Sequence, residues 1–391
     1  MLRHILLLTP VYVTFFWSIM LNADRRVSSV PRLFLGKFMF FAFIVYLSHL
    51  IYFVPNVGLY AYIDPLYQLA SLIVFPMYHI YFRLLTVDSK FQLRKHAYFL
   101  LPSIILFLLY TVGVFITPFH EYSVWIFNRQ MPSVYPGIKY LKIIEFLTRI
   151  VFIIQVLVTI IGNYRLIKKY GHKANQFYSD MDDIGTKNVT ILNASMIVSG
   201  VSSIILASLG RNFFENKNTG IALASIIFSS MLFIIGWLGN KQKSLNPVIK
   251  LEANEEPEFS PEIVEFTNIE QKNLLEKIQQ LFYTKKIYLN SKLTIQDVAQ
   301  EVGTNRTYIS TIINQQFNQN FCNFVNGFRV EEMEKIIIKH PYFNNQLLAE
   351  SCGFGSVDSL KRAVLAKTGQ KLSDWKKQFL QEVRNDPKKR A

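Results

Sequence analysis

The chain has 391 residues, of which 51% are hydrophobic and 18% charged, and a formal net charge of +15. Soluble globular proteins carry about 25% charged residues, so a charge-poor chain with 33 Phe and 20 Tyr falls outside the ordinary soluble class. Its two cysteines, Cys322 and Cys352, exclude a disulfide framework or a zinc ligand set.

The charge is unevenly placed. Residues 1–250 hold 23 Lys and Arg against 9 Asp and Glu, residues 251–270 hold 7 Glu and no basic residue, and residues 271–391 hold 19 against 11. A basic hydrophobic part, an acidic connector and a basic polar part point to membrane and nucleic-acid partners in different regions.

Seven apolar runs follow one another at residues 4–22, 33–54, 64–86, 97–117, 141–163, 189–209 and 220–239. Each is close to the ~20 residues that cross a bilayer core as a helix. They predict a seven-helix transmembrane bundle over residues 1–240, embedded in the lipid bilayer. The odd connecting segments are basic, with Arg25, Arg26 and Arg32, then Lys90, Arg94 and Lys95, then Arg165, Lys168, Lys169, Lys173 and Lys187. The second has no Lys or Arg, and the fourth and sixth have two each: Arg129 and Lys139, Arg211 and Lys217. Positive loops stay cytoplasmic, so the N-terminus is expected outside and the C-terminus in the cytoplasm, in a bacterial inner membrane. The first run is expected to be a span and not a cleaved signal, because Arg25 and Arg26 follow it at once.

Within the bundle, Ser195, Ser199, Ser203 and Ala207 form a small-residue stripe that serves helix packing or a homodimer face. Pro76 and Pro102 fall inside spans and are expected to kink them. Glu145 and Arg149 stand four apart in the favoured order for a helical ion pair, either as a sensory pair or as a structural one. His79 and His49 join them as candidate ligand residues for an unidentified small-molecule or membrane signal. No outer loop is long enough for a folded sensor domain. The longest, Pro118 to Tyr140, is expected to pack over the bundle mouth.

Residues 241–268 form an acidic connector with Pro247, Pro257 and Pro261, read as a flexible linker. From about residue 269 the pattern becomes that of amphipathic helices. Leu274, Leu275, Ile278, Leu281 and Phe282 share one face. In "LTIQDVAQEVGTNRTYISTII" (Leu293 to Ile313), Thr294 caps a helix with Asp297 three residues on. Gly303 supplies the turn, and Thr304 or Asn305 caps a second helix. Tyr308, Ile309, Ile312 and Ile313 of that helix are expected inside, with Arg306, Thr307, Ser310 and Thr311 outside. This is a helix-turn-helix whose second helix suits the major groove. After the long helix "FCNFVNGFRVEEMEKIII" the pattern repeats, with Leu348 and Ala349 before Cys352-Gly353-Phe354, a cap at Ser356, and Leu360, Ala363 and Val364 inside. Cys352 is expected to be a buried thiol.

On these residues, with Phe328-Arg329 in the joining helix and Arg362, Gly369 and Trp375 in the second unit, residues 269–391 resemble the DNA-binding domain of the AraC/XylS family. The resemblance implies an all-α protein in which a seven-helix transmembrane bundle precedes a cytoplasmic AraC-type domain with two helix-turn-helix units on double-stranded DNA. It implies base-edge roles for Arg306, Thr307, Ser310, Thr311, Val357, Asp358, Lys361 and Arg362, and phosphate contacts for Lys371 and Lys376. The chain departs from the family at Thr311, Met333, Asn345, Asp358, Val364-Leu365 and Leu372. The first unit is therefore expected to carry more of the sequence specificity.

The expected function is a membrane-embedded one-component transcription regulator. The alternative is a transporter or solute-binding membrane protein with a DNA-binding regulatory tail, although no repeat between the halves of the bundle supports it. No metal-ligand cluster, phosphate loop, nucleophile elbow or kinase signature is present in the sequence. Neither enzymatic activity nor a cofactor or metal is expected.

Overall fold

The computed structural model describes residues 2–23, 29–53, 57–88, 90–127, 135–180, 186–210, 214, 218–241 and 268–385. The predicted linker therefore lies almost wholly outside the described residues, as do Arg25, Arg26, Arg129, Arg211 and Lys217. Among the described residues the chain is helical and contains no strand beyond an isolated bridge between Tyr178 and Thr294. It divides into two compact units, residues 1–167 with 188–254, and residues 168–187 with 255–391.

The first unit contains α1 (Leu2–Ala23), α2 (Val30–Phe53), α3 (Val57–Thr86), α4 (Leu93–Phe115), the short α5 (Phe119–Phe127), most of α6 (Pro136–Phe177), all but the first two residues of α7 (Thr186–Leu209), and α8 (Asn218–Lys241). All but α5 are long and apolar enough to cross a membrane. At 42 residues, α6 is about twice as long as a bilayer core requires. Large apolar side chains stand exposed along α4 and α6, including Leu108, Phe115, Phe146 and Ile154. Such a surface is unsustainable in water and marks a membrane protein.

Helix α3 is the central element. It packs on α2, α4 and α5, while α1 packs on α2 and α8, and Tyr60, Tyr78, Ile80 and Phe82 of α3 are fully enclosed. Pro76 and Pro102 lie within α3 and α4 as expected. Of the small-residue stripe, Ser195 and Ser199 are buried, Ser203 is half-buried and Ala207 is exposed, so only its first half packs within the bundle.

Two carboxylates that sequence reading passed over are built into this unit. Asp64 is fully buried in α3 and accepts hydrogen bonds from the hydroxyls of Tyr60 at 2.8 Å, Tyr122 at 3.0 Å and Tyr110. Such satisfaction is what an enclosed polar group needs. Asp88, between α3 and α4, accepts from Arg83 at 2.8 Å, Lys95 at 2.6 Å and His96 at 3.1 Å. Burial works against its charge, but these three donors outweigh it and hold its pKa down at about 2.

The second unit holds the end of α6 and α9 (Asn268–Tyr283), α10 (Ile295–Val302), α11 (Arg306–Phe317), α12 (Phe321–Lys339), α13 (Asn345–Ser351), α14 (Val357–Thr368) and α15 (Leu372–Asn385). It has two apolar cores. One gathers Ile278, Phe282, Val298, Ile309, Ile312 and Val325. The other gathers Met333, Ile337, Leu348, Leu360, Val364 and Trp375. Both cores draw on α12, the first from its start and the second from Val330 onward. The segment Lys168–Lys187, which sequence reading assigns to the membrane domain as a basic loop, belongs instead to this unit. Charge pattern marks which side of a membrane a loop takes, and carries no information on what the loop packs against.

Candidate nucleic-acid interface

Two helix pairs of like build flank α12. In the first, Thr294 and Asp297 close a reciprocal capping box at the start of α10, with Thr294 N–H to Asp297 Oδ2 at 2.8 Å and Asp297 N–H to Thr294 Oγ1 at 3.2 Å. Gly303 ends α10 at φ 77°, in the left-handed region that glycine enters without steric cost. Asn305, not Thr304, caps α11, its Oδ1 accepting from Tyr308 N–H at 3.1 Å.

In the second pair Asn344 caps α13, accepting from Leu347 N–H at 2.8 Å. Cys352 is buried, and burial raises its thiol to about 12. Gly353 follows at φ 81°, so close to the backbone of Tyr288 and Leu289 that an added Cβ would come within 2.6 Å of it. Ser356 caps α14, accepting from Ser359 N–H at 3.0 Å.

The candidate DNA-contacting side chains fall as follows. On α11 Thr307 is exposed, while Arg306, Ser310 and Thr311 are half-buried. Ile309, Ile312 and Ile313 are buried as expected, but Tyr308 is only half-buried. It sits on the shoulder of the helix where apolar and polar faces meet. On α14 Asp358, Lys361 and Arg362 are exposed and Val357 is half-buried against the second core. Lys361 stands 3.6 Å from Asp358, and Arg362 Nη2 donates to Ser359 Oγ at 3.1 Å. Lys371 is exposed. Lys376 is half-buried and donates to the carbonyl of Phe343 at 2.8 Å, and burial lowers its pKa. That side chain ties the start of α15 to the turn before α13.

The α11 and α14 positions thus present polar groups at the start of two similarly capped helices. The residue that joins the pairs is Arg329 of α12, which is fully buried. It donates to the carbonyls of Tyr288 and Asn290, both at 2.8 Å, and its guanidinium lies 5.5 Å from the ring centre of Phe354. It also donates to Ser179, through Nη1 to the carbonyl and Nη2 to the hydroxyl, both at 3.0 Å. Ser179 and the neighbouring Asp180 escaped sequence reading. The only local signal is a short acidic stretch, Asp180, Asp182 and Asp183, inside an otherwise basic loop.

The candidate ligand residues of the first unit are not assembled into one site around a common partner. Glu145 and Arg149 pair at 2.8 Å, with the Arg149 side chain 62% exposed. His79 is buried with Nδ1 2.7 Å from Asn163 Oδ1. His49 is half-buried against the rings of Tyr46 and Tyr67. Among the described residues no group of His, Cys, Asp and Glu could hold a metal ion. No protein-family model, curated protein or solved structure matches this chain.

Proposed function

We propose that the chain is a membrane-embedded one-component transcription regulator of the AraC/XylS type. In this reading α10–α11 and α13–α14 are two helix-turn-helix units on double-stranded DNA, and a signal received in or at the bundle sets their DNA-binding state. The observation that carries the reading is the repeated build of the two pairs, each with a side-chain cap before its second helix and a glycine at positive φ in its turn. Each second helix starts with polar side chains at the surface, the placement that major-groove reading requires. The basic balance of residues 271–391 suits a polyanionic partner. The alternation of basic loops supports a cytoplasmic C-terminal unit, where DNA is.

Thr307, Ser310, Thr311, Lys361 and Arg362 are then the base-edge candidates, and Lys371 the phosphate contact. Lys376 fits a structural tie better than a phosphate contact. Two readers in one chain span two groove segments without a second copy. The test is genome-wide mapping of DNA crosslinked to the whole chain in its membrane. Enrichment of a small set of loci sharing a sequence is expected, and a profile indistinguishable from that of an untagged strain would sink the reading.

A further inference from the structure

Four consecutive residues at the end of α6, Phe177 to Asp180, touch both helix pairs and the helix between them. Ser179 anchors the segment. Its N–H donates to the carbonyl of Leu293 at 3.1 Å, and its carbonyl and hydroxyl accept from Arg329. Tyr178 forms the isolated bridge with Thr294, just before α10. The outer two residues engage the starts of the two second helices. Asp180 is buried, and its carboxylate accepts from the N–H of Gly355 at 2.8 Å and from the hydroxyl of Ser359 at 2.5 Å, at the first turn of α14. The guanidinium of Arg306, the first residue of α11, lies 5.1 Å from the ring centre of Phe177.

We propose that Phe177–Asp180 competes with DNA within the chain, holding groups at the starts of α11 and α14 that DNA would otherwise engage. This rests on the DNA-binding reading above and deepens it. The start of a helix receives anions through its unsatisfied N–H groups and its dipole, and in protein–DNA complexes the anion is a backbone phosphate. At α14 the carboxylate of Asp180 sits just ahead of the cap, on the Gly355 N–H and the Ser359 hydroxyl, beside the end where such an anion would approach. At α11 the cation that would meet a base edge or phosphate is stacked on an aromatic ring. A segment that only braced the two pairs would need no more than the Ser179–Arg329 anchor. Phe177 and Asp180 instead engage the starts of the two second helices, at Arg306 of α11 and at Gly355 and Ser359 around the cap of α14. Signal reception in the bundle then has a defined output: a shift between the seated segment, which blocks DNA, and the displaced segment, which admits it.

The test uses the whole chain in lipid nanodiscs with a fluorescent mixed-sequence DNA duplex at fixed salt. Asp180→Ala is expected to bind about tenfold more tightly than the unaltered chain, within the range of ordinary allosteric coupling. Glu350→Ala, which removes an exposed carboxylate from α13, sets the gain due to lost negative charge alone, and Asp180→Ala must exceed it. Hydrogen exchange on the unaltered chain gives a reading independent of any variant's folding: saturating DNA is expected to strip protection from the Ser179 amide. Equal or weaker binding by Asp180→Ala, or Ser179 protection that persists or rises with DNA, overturns the competitor while leaving the regulator reading in place. If no version binds the duplex, the DNA-binding reading fails and takes the competitor with it.

Discussion

The guanidinium of Arg329 grips Ser179 twice, at the carbonyl and at the hydroxyl, each at 3.0 Å, from a position completely closed to solvent. The same group satisfies the carbonyls of Tyr288 and Asn290. A planar fork reaches four oxygens where an ammonium cannot. Arg329→Lys is therefore expected to destabilise the C-terminal unit by about 3 kcal/mol, the scale of breaking a buried charge-assisted network. Urea unfolding of the whole chain, followed by hydrogen exchange in α12, measures it. A loss within a few tenths of a kcal/mol, as is usual for a surface change, would refute the account.

Gly353→Ala tests the second turn. A Cβ there would meet the backbone of Tyr288 and Leu289 at 2.6 Å on a residue held at φ 81°. Backbone offers no rotamer to yield, so a cost of about 3 kcal/mol is expected, combining overpacking with positive-φ strain. Gly303→Ala has the strain without the clash and should cost about 1 kcal/mol. The ratio of the two, read from midpoints of unfolding, separates close packing from conformation.

Asp88 should give the protein an acid-sensitive hinge between α3 and α4. Its folded pKa, about 2, lies below the unfolded carboxylate value of about 3.9. The stability it contributes is thus complete above that unfolded value and is lost as pH falls towards 2. The shift corresponds to about 2–3 kcal/mol at most. Thermal unfolding between neutral pH and pH 3 should fall more steeply for the unaltered chain than for Asp88→Asn. Parallel curves would show that the cluster of Arg83, Lys95 and His96 does not depend on the charge.

On DNA, Arg362→Ala and Thr307→Ala should each weaken specific binding by about 1–3 kcal/mol if they hold base edges. Lys371→Ala should weaken all sequences alike and lower the salt slope by about one. Lys376→Ala should instead loosen the contact with Phe343 and reduce stability. Unchanged footprints for both Arg362→Ala and Thr307→Ala would remove the assignment of these positions.

What was legible in the chain was whatever is local. The apolar run 189–209 became α7 (Thr186–Leu209), and the cap at Thr294, the turn at Gly303 and the cap at Ser356 all lie within a few residues of the groups they bond. Hydropathy and capping act over one helix turn or one bilayer thickness, so a short window contains them. The bonds from Asp180 to Gly355 and Ser359, and from Arg329 to Ser179, join residues at least 150 positions apart. No periodicity announces them. Asp64 was hidden differently: a single carboxylate in an apolar run looks like an exception until folding brings Tyr110 and Tyr122 to it.

The helix α12 gives its start to one core and its remainder to the other, with Arg329 at the division. Each residue in a helix turns the chain by about 100°. A single insertion between Val325 and Val330 would therefore swing one half of the unit a quarter-turn or more around the other, and would drag Arg329 out of register. A substitution along this strut, even a costly one at Arg329, leaves the register of the two halves intact, whereas a change of length does not. Insertions and deletions in natural variants of this chain should cluster in the turns and spare residues 325–330.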